Sequence, residues 1–159
     1  MNKISFENRK RSQGGFTLIE ILLAIGILAI LATAVIIAIN PARQFAEARN
    51  SQRWSDVNAL MNATYQYAVG HKGLKPPEIP TEGNLTDICI PDAPTCAGIT
   101  GIPSLTTDST YLTALPVDPS CPDLCDPNST GYYITTNVDG RIFIQAPFSE
   151  LGEQIELVR

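Results

Sequence analysis

The sequence predicts an α+β fold, in which a long amino-terminal helix packs its second, amphipathic half against a small antiparallel β-sheet. Three observations indicate this fold. Nearly uninterrupted apolar residues occupy positions 16–39, and helical periodicity resumes over residues 41–70. Residues 131–158 show the alternation and turn residues that are typical of short strands. Between them, residues 71–130 hold ten of the twelve prolines and all four cysteines, which predicts a disulfide-bearing loop region.

The apolar run at residues 16–39 dominates the amino-terminal part of the chain. As a helix, its 24 residues would extend about 36 Å, enough to cross a hydrocarbon core of roughly 30 Å. The run is too long for the apolar part of a secretory signal, and no Ala-x-Ala-like cleavage site follows it. A head of this size could scarcely cover every side of the helix, so a buried core helix is disfavoured. We therefore expect a transmembrane helix at residues 16–39, followed by a globular part at residues 40–159.

Charge divides the chain into three parts. Residues 1–15 carry a net charge of +3 and residues 40–75 again +3, whereas residues 76–159 carry −10, and the whole chain carries −5 once Glu20 is included. The acidic distal part argues against a nucleic-acid site, because phosphate contacts need basic groups. Basic residues flank the apolar run on both sides, so the positive-inside rule gives a cytoplasmic amino end only a slight preference.

Glu20 is the one charged residue inside the apolar run. A carboxylate in a lipid-spanning segment costs several kcal/mol unless it is paired, which makes it a functional-site hypothesis. The only other polar side chains in the run are Thr17 and Thr33, and neither can neutralise it. Cleavage between Gly15 and Phe16 would create an α-amino group close to Glu20. The alternative is that the carboxylate extends to the membrane–water interface.

The stretch GGFTLIE at residues 14–20 resembles the processing motif of type IV prepilins and of the pseudopilins of type II secretion. A short basic segment precedes the motif and an apolar helix follows it, which completes the pattern and implies a leader peptide at residues 1–15 before an extracytoplasmic head at residues 40–159. The resemblance implies that a membrane-embedded prepilin peptidase cuts after Gly15 and N-methylates Phe16. It also implies that Glu20 meets the amino group of an adjacent subunit's Phe16 during filament assembly.

The resemblance further implies a structural subunit that polymerises with other pilin subunits into a type IV pilus-like filament. The alternative within the family is a major pseudopilin of a type II secretion or DNA-uptake system. Either subunit would work with an inner-membrane assembly platform and its ATPase. The subunit would cross the inner membrane once, with its head outside the cytoplasm, and then join an extracellular or periplasmic filament. A membrane-anchored enzyme is disfavoured, because the chain has one histidine, His71, and lacks GxSxG and HExxH motifs. No cofactor is predicted.

Pro41 is expected to kink or break the long helix. It removes the hydrogen bond to the carbonyl of Ile37 and disfavours helical geometry at Asn40. Periodicity then continues to Gly70 along one broad stripe. The stripe consists of Ala42, Phe45, Ala46, Arg49, Arg53, Trp54, Val57, Leu60, Met61, Thr64, Tyr65 and Ala68. His71, at the end of this helix, is expected to be an exposed cap.

The four cysteines form two closely spaced pairs. Cys89 and Cys96 are separated by six residues, and Cys121 and Cys125 by three. In a head outside the cytoplasm they suggest disulfides, for which three connectivities are possible. A tetrahedral zinc site is the alternative. We expect Cys89–Cys96 and Cys121–Cys125, each of which closes a short loop.

The distal chain also predicts a short helix and three strands. The helix is expected at Asp108–Leu115, and a hairpin at Tyr132–Thr136 and Arg141–Ala146 with a turn between its strands. Gln154–Val158 alternates well enough for a third strand. Three apolar residues of the short helix are expected to pack on the main helix: Tyr111, Leu112 and Leu115.

Two further patterns concern ligands and modification. Asp118, Asp123 and Asp126 crowd the second cysteine loop, and oxygen-rich loops can hold calcium, although a solvated acidic loop is favoured. Three triplets fit the N-glycosylation pattern, which is short enough to arise by chance. They are Asn62-Ala-Thr, Asn84-Leu-Thr and Asn128-Ser-Thr.

Overall fold

The computed structural model describes residues 15–81, 83–91, 93, 96, 98–121 and 123–159. The chain divides into two compact units between Pro41 and Ala42. The predicted leader lies outside the described residues, except for Gly15.

The first unit contains one helix, α1 (Leu18–Ile39). Thr17 caps it, because its backbone is extended and its hydroxyl accepts a hydrogen bond from the Glu20 amide. Asn40, with φ at 49°, adopts the left-handed conformation that ends the helix, and Pro41 begins the next one. The interruption expected at Asn40-Pro41 is confirmed.

The second helix, α2 (Pro41–Gly70), supplies one wall of the head. Its apolar buried residues follow the predicted stripe from Ala46 to Met61, whereas Ala42, Phe45 and Tyr65 are exposed, contrary to the expectation. The buried residues of α2 are Ala46, Asn50, Arg53, Asp56, Val57, Leu60, Met61, Ala63 and Thr64. Four of these nine are Asn, Arg, Asp and Thr, so the helix buries a mixed face rather than a purely apolar one.

An antiparallel four-stranded sheet forms the other wall, with strand order β1-β2-β3-β4. The strands are β1 (Thr86–Cys89), β2 (Ser129–Thr136), β3 (Ile142–Ala146) and β4 (Ile155–Val158). The predicted hairpin is confirmed as β2 and β3, and the predicted third strand as β4. The region expected to be loop-like, residues 71–130, also holds a strand that the sequence did not indicate, because β1 pairs with β2 along one edge of the sheet.

The core lies between α2 and the sheet. Val57, Leu60 and Met61 from the helix pack in one apolar cluster with Ile134 and Ile144, which face each other on β2 and β3. The cluster also includes Ala63, Ile79, Ile88, Ile102, Leu105, Leu115, Tyr132, Ile142, Ala146 and Ile155. Residues of the loop region thus complete a core that the helix and sheet begin.

The short helix predicted at Asp108–Leu115 is wrong in position. The structure places α3 at Pro103–Thr106, followed by a 3₁₀ turn at Thr107–Ser109. Proline at the first helical position favours this start, and the positive φ of Asp108 and Ser109 ends the helical geometry. The predicted packing nevertheless occurs, since Tyr111 contacts Tyr67 of α2 edge to face at 5.6 Å, and Leu112 and Leu115 join the core.

Candidate processing and assembly site

Gly15 and Phe16 lie directly before the cap of α1. Phe16 is 79% exposed, and a Cβ placed on Gly15 would meet no described atom within 4 Å. No described neighbour therefore demands a glycine at position 15.

Glu20 belongs to the first turn of α1. Its amide donates to the Thr17 carbonyl at 3.1 Å and to the Thr17 hydroxyl at 3.3 Å. The carboxylate lies near the positive end of the helix dipole, which favours a negative charge there. Among residues 15–41, which the structure describes, no cation pairs with it. Its charge is available to a group from outside this unit.

The whole surface of α1 is exposed within the described chain. The helix has 22 residues, and an 18-residue stretch of it has a mean hydropathy of 3.0, so by length and composition it can span a membrane. The Thr33 hydroxyl donates to the Ala29 carbonyl at 2.8 Å, which satisfies it within the helix. A Cβ on Gly26 would meet nothing within 4 Å, and this small residue leaves room for another helix to approach closely. The helix thus presents an unpartnered apolar surface with one carboxylate near its start.

Comparison with known proteins bears on this segment. Residues 10–36 match the family model described as the prokaryotic N-terminal methylation motif. The chain carries a prepilin-type signature. This signature is that of type IV pilins and pseudopilins, and Gly15, Phe16 and Glu20 all lie inside it. No curated protein and no solved structure matches the chain significantly.

Later in the sequence than the signature, the head contains a buried ionic network centred on Arg53. Its Nε and Nη2 atoms donate to the two carboxylate oxygens of Asp118 at 2.7 and 3.1 Å. Nη1 donates to Asn50 Oδ1 at 2.8 Å and to Glu150 Oε2 at 3.1 Å, and Nη2 also donates to Ser120 Oγ at 2.6 Å. All five N–H groups of the guanidinium therefore have an acceptor, as a buried charge requires.

The charges in this network stabilise one another. Burial lowers the pKa of Arg53, but its hydrogen bonds to Asp118 and Glu150 outweigh burial and leave the pKa raised. Hydrogen bonds from Arg49 hold the pKa of Glu150 down at about 2, with Arg53 contributing to the same shift. Through these hydrogen bonds the network joins α2 to two segments distant in sequence.

A second buried pair lies one turn further along α2. The Tyr132 hydroxyl donates to Asp56 Oδ2 at 2.7 Å, and the Gln52 amide donates to Oδ1 at 2.8 Å. Burial raises the pKa of Asp56 despite these hydrogen bonds. Burial together with Asp56 raises the pKa of Tyr132, which keeps the phenol protonated. This pair fastens the middle of α2 to β2.

The cysteines form the disulfides Cys89–Cys96 and Cys121–Cys125, with Cα–Cα distances of 5.8 and 5.2 Å. The second bond covers the start of β2. A Cβ on Gly131, whose φ is +80°, would lie 2.8 Å from Cys121 Sγ and 3.0 Å from Cys125 Sγ. Only a residue without a side chain fits beneath this bridge.

The calcium site considered at Asp118, Asp123 and Asp126 does not form in the described residues. Asp118 is buried against the guanidinium of Arg53, whose positive charge opposes a cation there. Asp123 and Asp126 are exposed, and no group of three or more metal-ligating side chains occurs among the described residues. His71 is exposed at the end of α2, as the sequence indicated. Its ring also stacks on that of Tyr67, with 3.8 Å between ring centroids, which the sequence did not indicate.

Sequence reasoning missed the Arg53 network as a unit. Arg53 was assigned to the buried stripe, but the hydropathy pattern gives no sign of its partners, 65 and 97 residues away. One signal was present, because an arginine in the middle of a buried stripe requires a buried acid. Asp118, within a proline-rich stretch, was one of several acidic candidates.

Proposed function

We propose that the chain is a prepilin, which a prepilin peptidase cleaves after Gly15 and methylates at the new amino group of Phe16. The product would polymerise into a type IV pilus-like filament. The observation that carries this proposal is an unpaired carboxylate, Glu20, near the start of an exposed apolar helix within the matched methylation motif.

Membrane anchoring precedes assembly in this proposal. Before polymerisation, α1 would rest in the cytoplasmic membrane with the head outside the cytoplasm. The two disulfides support that side, because such bonds persist in oxidising compartments. An inner-membrane assembly platform and its ATPase would then lift the subunit from the bilayer.

Glu20 would set the register between neighbouring subunits. In a filament, apolar helices pack side by side away from water, and a carboxylate there needs a partner. Cleavage supplies one new cation, the amino group of Phe16. Pairing between chains favours one axial stagger and penalises the others, which is a specificity role.

The experiment compares Glu20→Ala with Thr33→Ala, a control in the same helix whose hydroxyl bonds only within α1. Glu20→Ala should leave membrane insertion and cleavage largely intact, since losing a charge makes the helix more compatible with lipid. Its filament yield should fall at least about tenfold, since 1.4 kcal/mol of lost pairing already changes an equilibrium tenfold. Thr33→Ala should assemble normally.

Sheared surface filaments are measured alongside mature protein in the membrane fraction, and mass spectrometry of the amino-terminal peptide reports N-methyl-Phe16. Wild-type filament yield from Glu20→Ala would refute the assembly role. Filaments that retain residues 1–15 would refute the processing step.

A further inference from the structure

The three N-x-S/T triplets occupy different structural environments. Asn62 is exposed, but its triplet lies in the middle of α2, where the Thr64 side chain is fully buried. The Thr64 hydroxyl donates to the Leu60 carbonyl at 2.8 Å. A transferase could reach this triplet as an extended segment only if α2 unwound.

The second triplet, Asn128-Ser129-Thr130, leads into the central strand β2 and is closed by its neighbours. The Asn128 carbonyl accepts from the Ile90 amide at 2.8 Å, and the Asn128 amide is bound to Asp126. Thr130 is 1% exposed, and its hydroxyl accepts from the Tyr132 amide. Access here would require β2 to separate from the rest of the head.

The third triplet, Asn84-Leu85-Thr86, is open. Asn84 is exposed in a surface loop outside the helices, and Leu85 is 40% exposed. The Leu85 amide donates to the Gly83 carbonyl at 2.9 Å, which makes a tight turn about Asn84. Thr86 is half-buried at the start of edge strand β1, and its hydroxyl donates to the Asn84 carbonyl at 3.2 Å in an exposed hydrogen bond. Asparagine and hydroxyl are therefore held close together at the surface.

We propose that Asn84 is the acceptor for an N-linked glycan. The donor class is an oligosaccharide on a polyprenyl diphosphate. A bond forms between Asn84 Nδ2 and the anomeric carbon of the first sugar as the bond from that carbon to the diphosphate oxygen breaks. The amide gives up one proton and the polyprenyl diphosphate leaves, so no oxidant or reductant is required. The inference rests on the proposed function only in needing the head outside the cytoplasm, in the compartment of secreted proteins that carry this acceptor.

The first test is glycopeptide mass spectrometry of the full chain from its own cells. The peptide that contains Asn84 should carry the glycan, and the peptides of Asn62 and Asn128 should be unmodified. Asn84→Gln and Thr86→Val should abolish the modification, whereas Thr86→Ser, which keeps the hydroxyl, should retain it. Mature protein with an unmodified Asn84 would overturn the inference.

The second test uses the purified full chain in detergent, with a single-subunit oligosaccharyltransferase and a polyprenyl-diphosphate heptasaccharide. The folded chain should be at least about tenfold more occupied at Asn84 than at Asn62 or Asn128, and denaturation should remove this preference, because exposure of the other two sites requires unfolding. Equal occupancy at all three sites in the folded chain would overturn the inference.

The two proposals can fail separately. Removal of residues 1–15 is read in the same spectra as the glycan. A cleaved, N-methylated chain without the glycan would refute the inference and leave the prepilin proposal intact. A chain that is glycosylated at Asn84 but keeps residues 1–15 would refute the prepilin proposal and support the glycosylation inference.

Discussion

The Arg53–Asp118 pair offers a sharp test of how the head is held together. Both side chains are fully buried, and the two carboxylate oxygens of Asp118 accept from Nε and Nη2 of Arg53. The variant Asp118→Asn keeps the size of the side chain and removes its charge. It leaves Arg53 buried with Glu150, which is 31% exposed, as its remaining anionic partner.

The expected loss of stability follows from these contacts. Removing one partner of a buried ion pair costs about 3–5 kcal/mol, because the remaining charge stays desolvated. Glu150 and Ser120 still accept from Arg53, and the asparagine oxygen can accept one hydrogen bond, so the lower end applies. We expect Asp118→Asn to lower the free energy of unfolding by about 3 kcal/mol, and the melting temperature by about 10 °C.

The chain contains its own probe and its own control. Trp54 is the only tryptophan, and its indole donates to Glu153 at 2.8 Å, so its fluorescence should report unfolding of the head. The control is Glu47→Gln, which breaks the exposed pair Arg43–Glu47, with side chains 66% and 44% exposed. That variant should change the free energy of unfolding by no more than about 0.5 kcal/mol. Both are measured by denaturant titration of the full chain in detergent.

A double variant tests the cause. When Arg53→Met accompanies Asp118→Leu, no charge of the pair remains to be desolvated, and an apolar replacement is often neutral or stabilising. The losses of stability of the single variants Arg53→Met and Asp118→Leu are measured separately and added. The double variant should be about 2 kcal/mol more stable than this sum implies. Additive losses, or an Asp118→Asn variant as stable as the control, would refute the reasoning.

Two further predictions concern the same part of the head. Gly131→Ala should destabilise the head by several kcal/mol, because the added Cβ would lie 2.8 Å from Asp118 Cβ and from Cys121 Sγ. The control is Gly140→Ala, whose φ is also positive at +77° but whose Cβ would lie in open space, and it should cost about 1–2 kcal/mol. Thermal unfolding measures both losses. Equal losses would contradict the clash. The depressed pKa of Glu150 contributes stability that is complete above pH 4.5 and is lost as the pH falls toward about 2. Between these pH values wild type should lose about 1 kcal/mol more than Glu150→Gln in denaturant titrations, after allowance for the partial exposure of Glu150. The raised pKa of Asp56 makes folding more favourable as the pH falls, but it does so equally in wild type and in Glu150→Gln. Parallel stability–pH profiles for the two proteins would count against the role assigned to Glu150.

Elements with a strong local pattern were predictable from sequence. The apolar run gave α1 directly, and Pro41 marked its end because proline cannot continue the preceding helix. The β2–β3 hairpin followed from alternating residues on either side of a turn, and its register places Ile134 opposite Ile144 in the core. In each case the signal lay within a few residues of the element that it predicted.

Elements that depend on distant partners were not predictable. Strand β1 is four residues long, and it exists because β2, some forty residues later, offers an edge to pair with. The position of α3 was set by Pro103 rather than by the apolar spacing at Tyr111, Leu112 and Leu115 that suggested a helix. Those side chains reached the core from an irregular segment, so their burial was predictable although their backbone was not.

The polar character of the first turns of α2 within the head has a physical reason. From Val57 to Met61 the helix buries apolar side chains in the core that it shares with the sheet, whose backbone groups bond to one another. At Asn50 and Arg53 it faces the irregular segments around Glu150 and Asp118, whose backbone groups need other partners. Asn50 meets this need directly, since its amide donates to the Glu150 carbonyl at 2.9 Å and its oxygen accepts from the Glu150 amide at 3.0 Å, as a neighbouring strand would. The same oxygen accepts from Arg53, which joins this contact to Asp118. Because Arg53 and the Glu150 amide share the Asn50 oxygen, loss of Asn50 should loosen both loops together, and an apolar residue at position 50 would leave the Glu150 backbone groups unsatisfied.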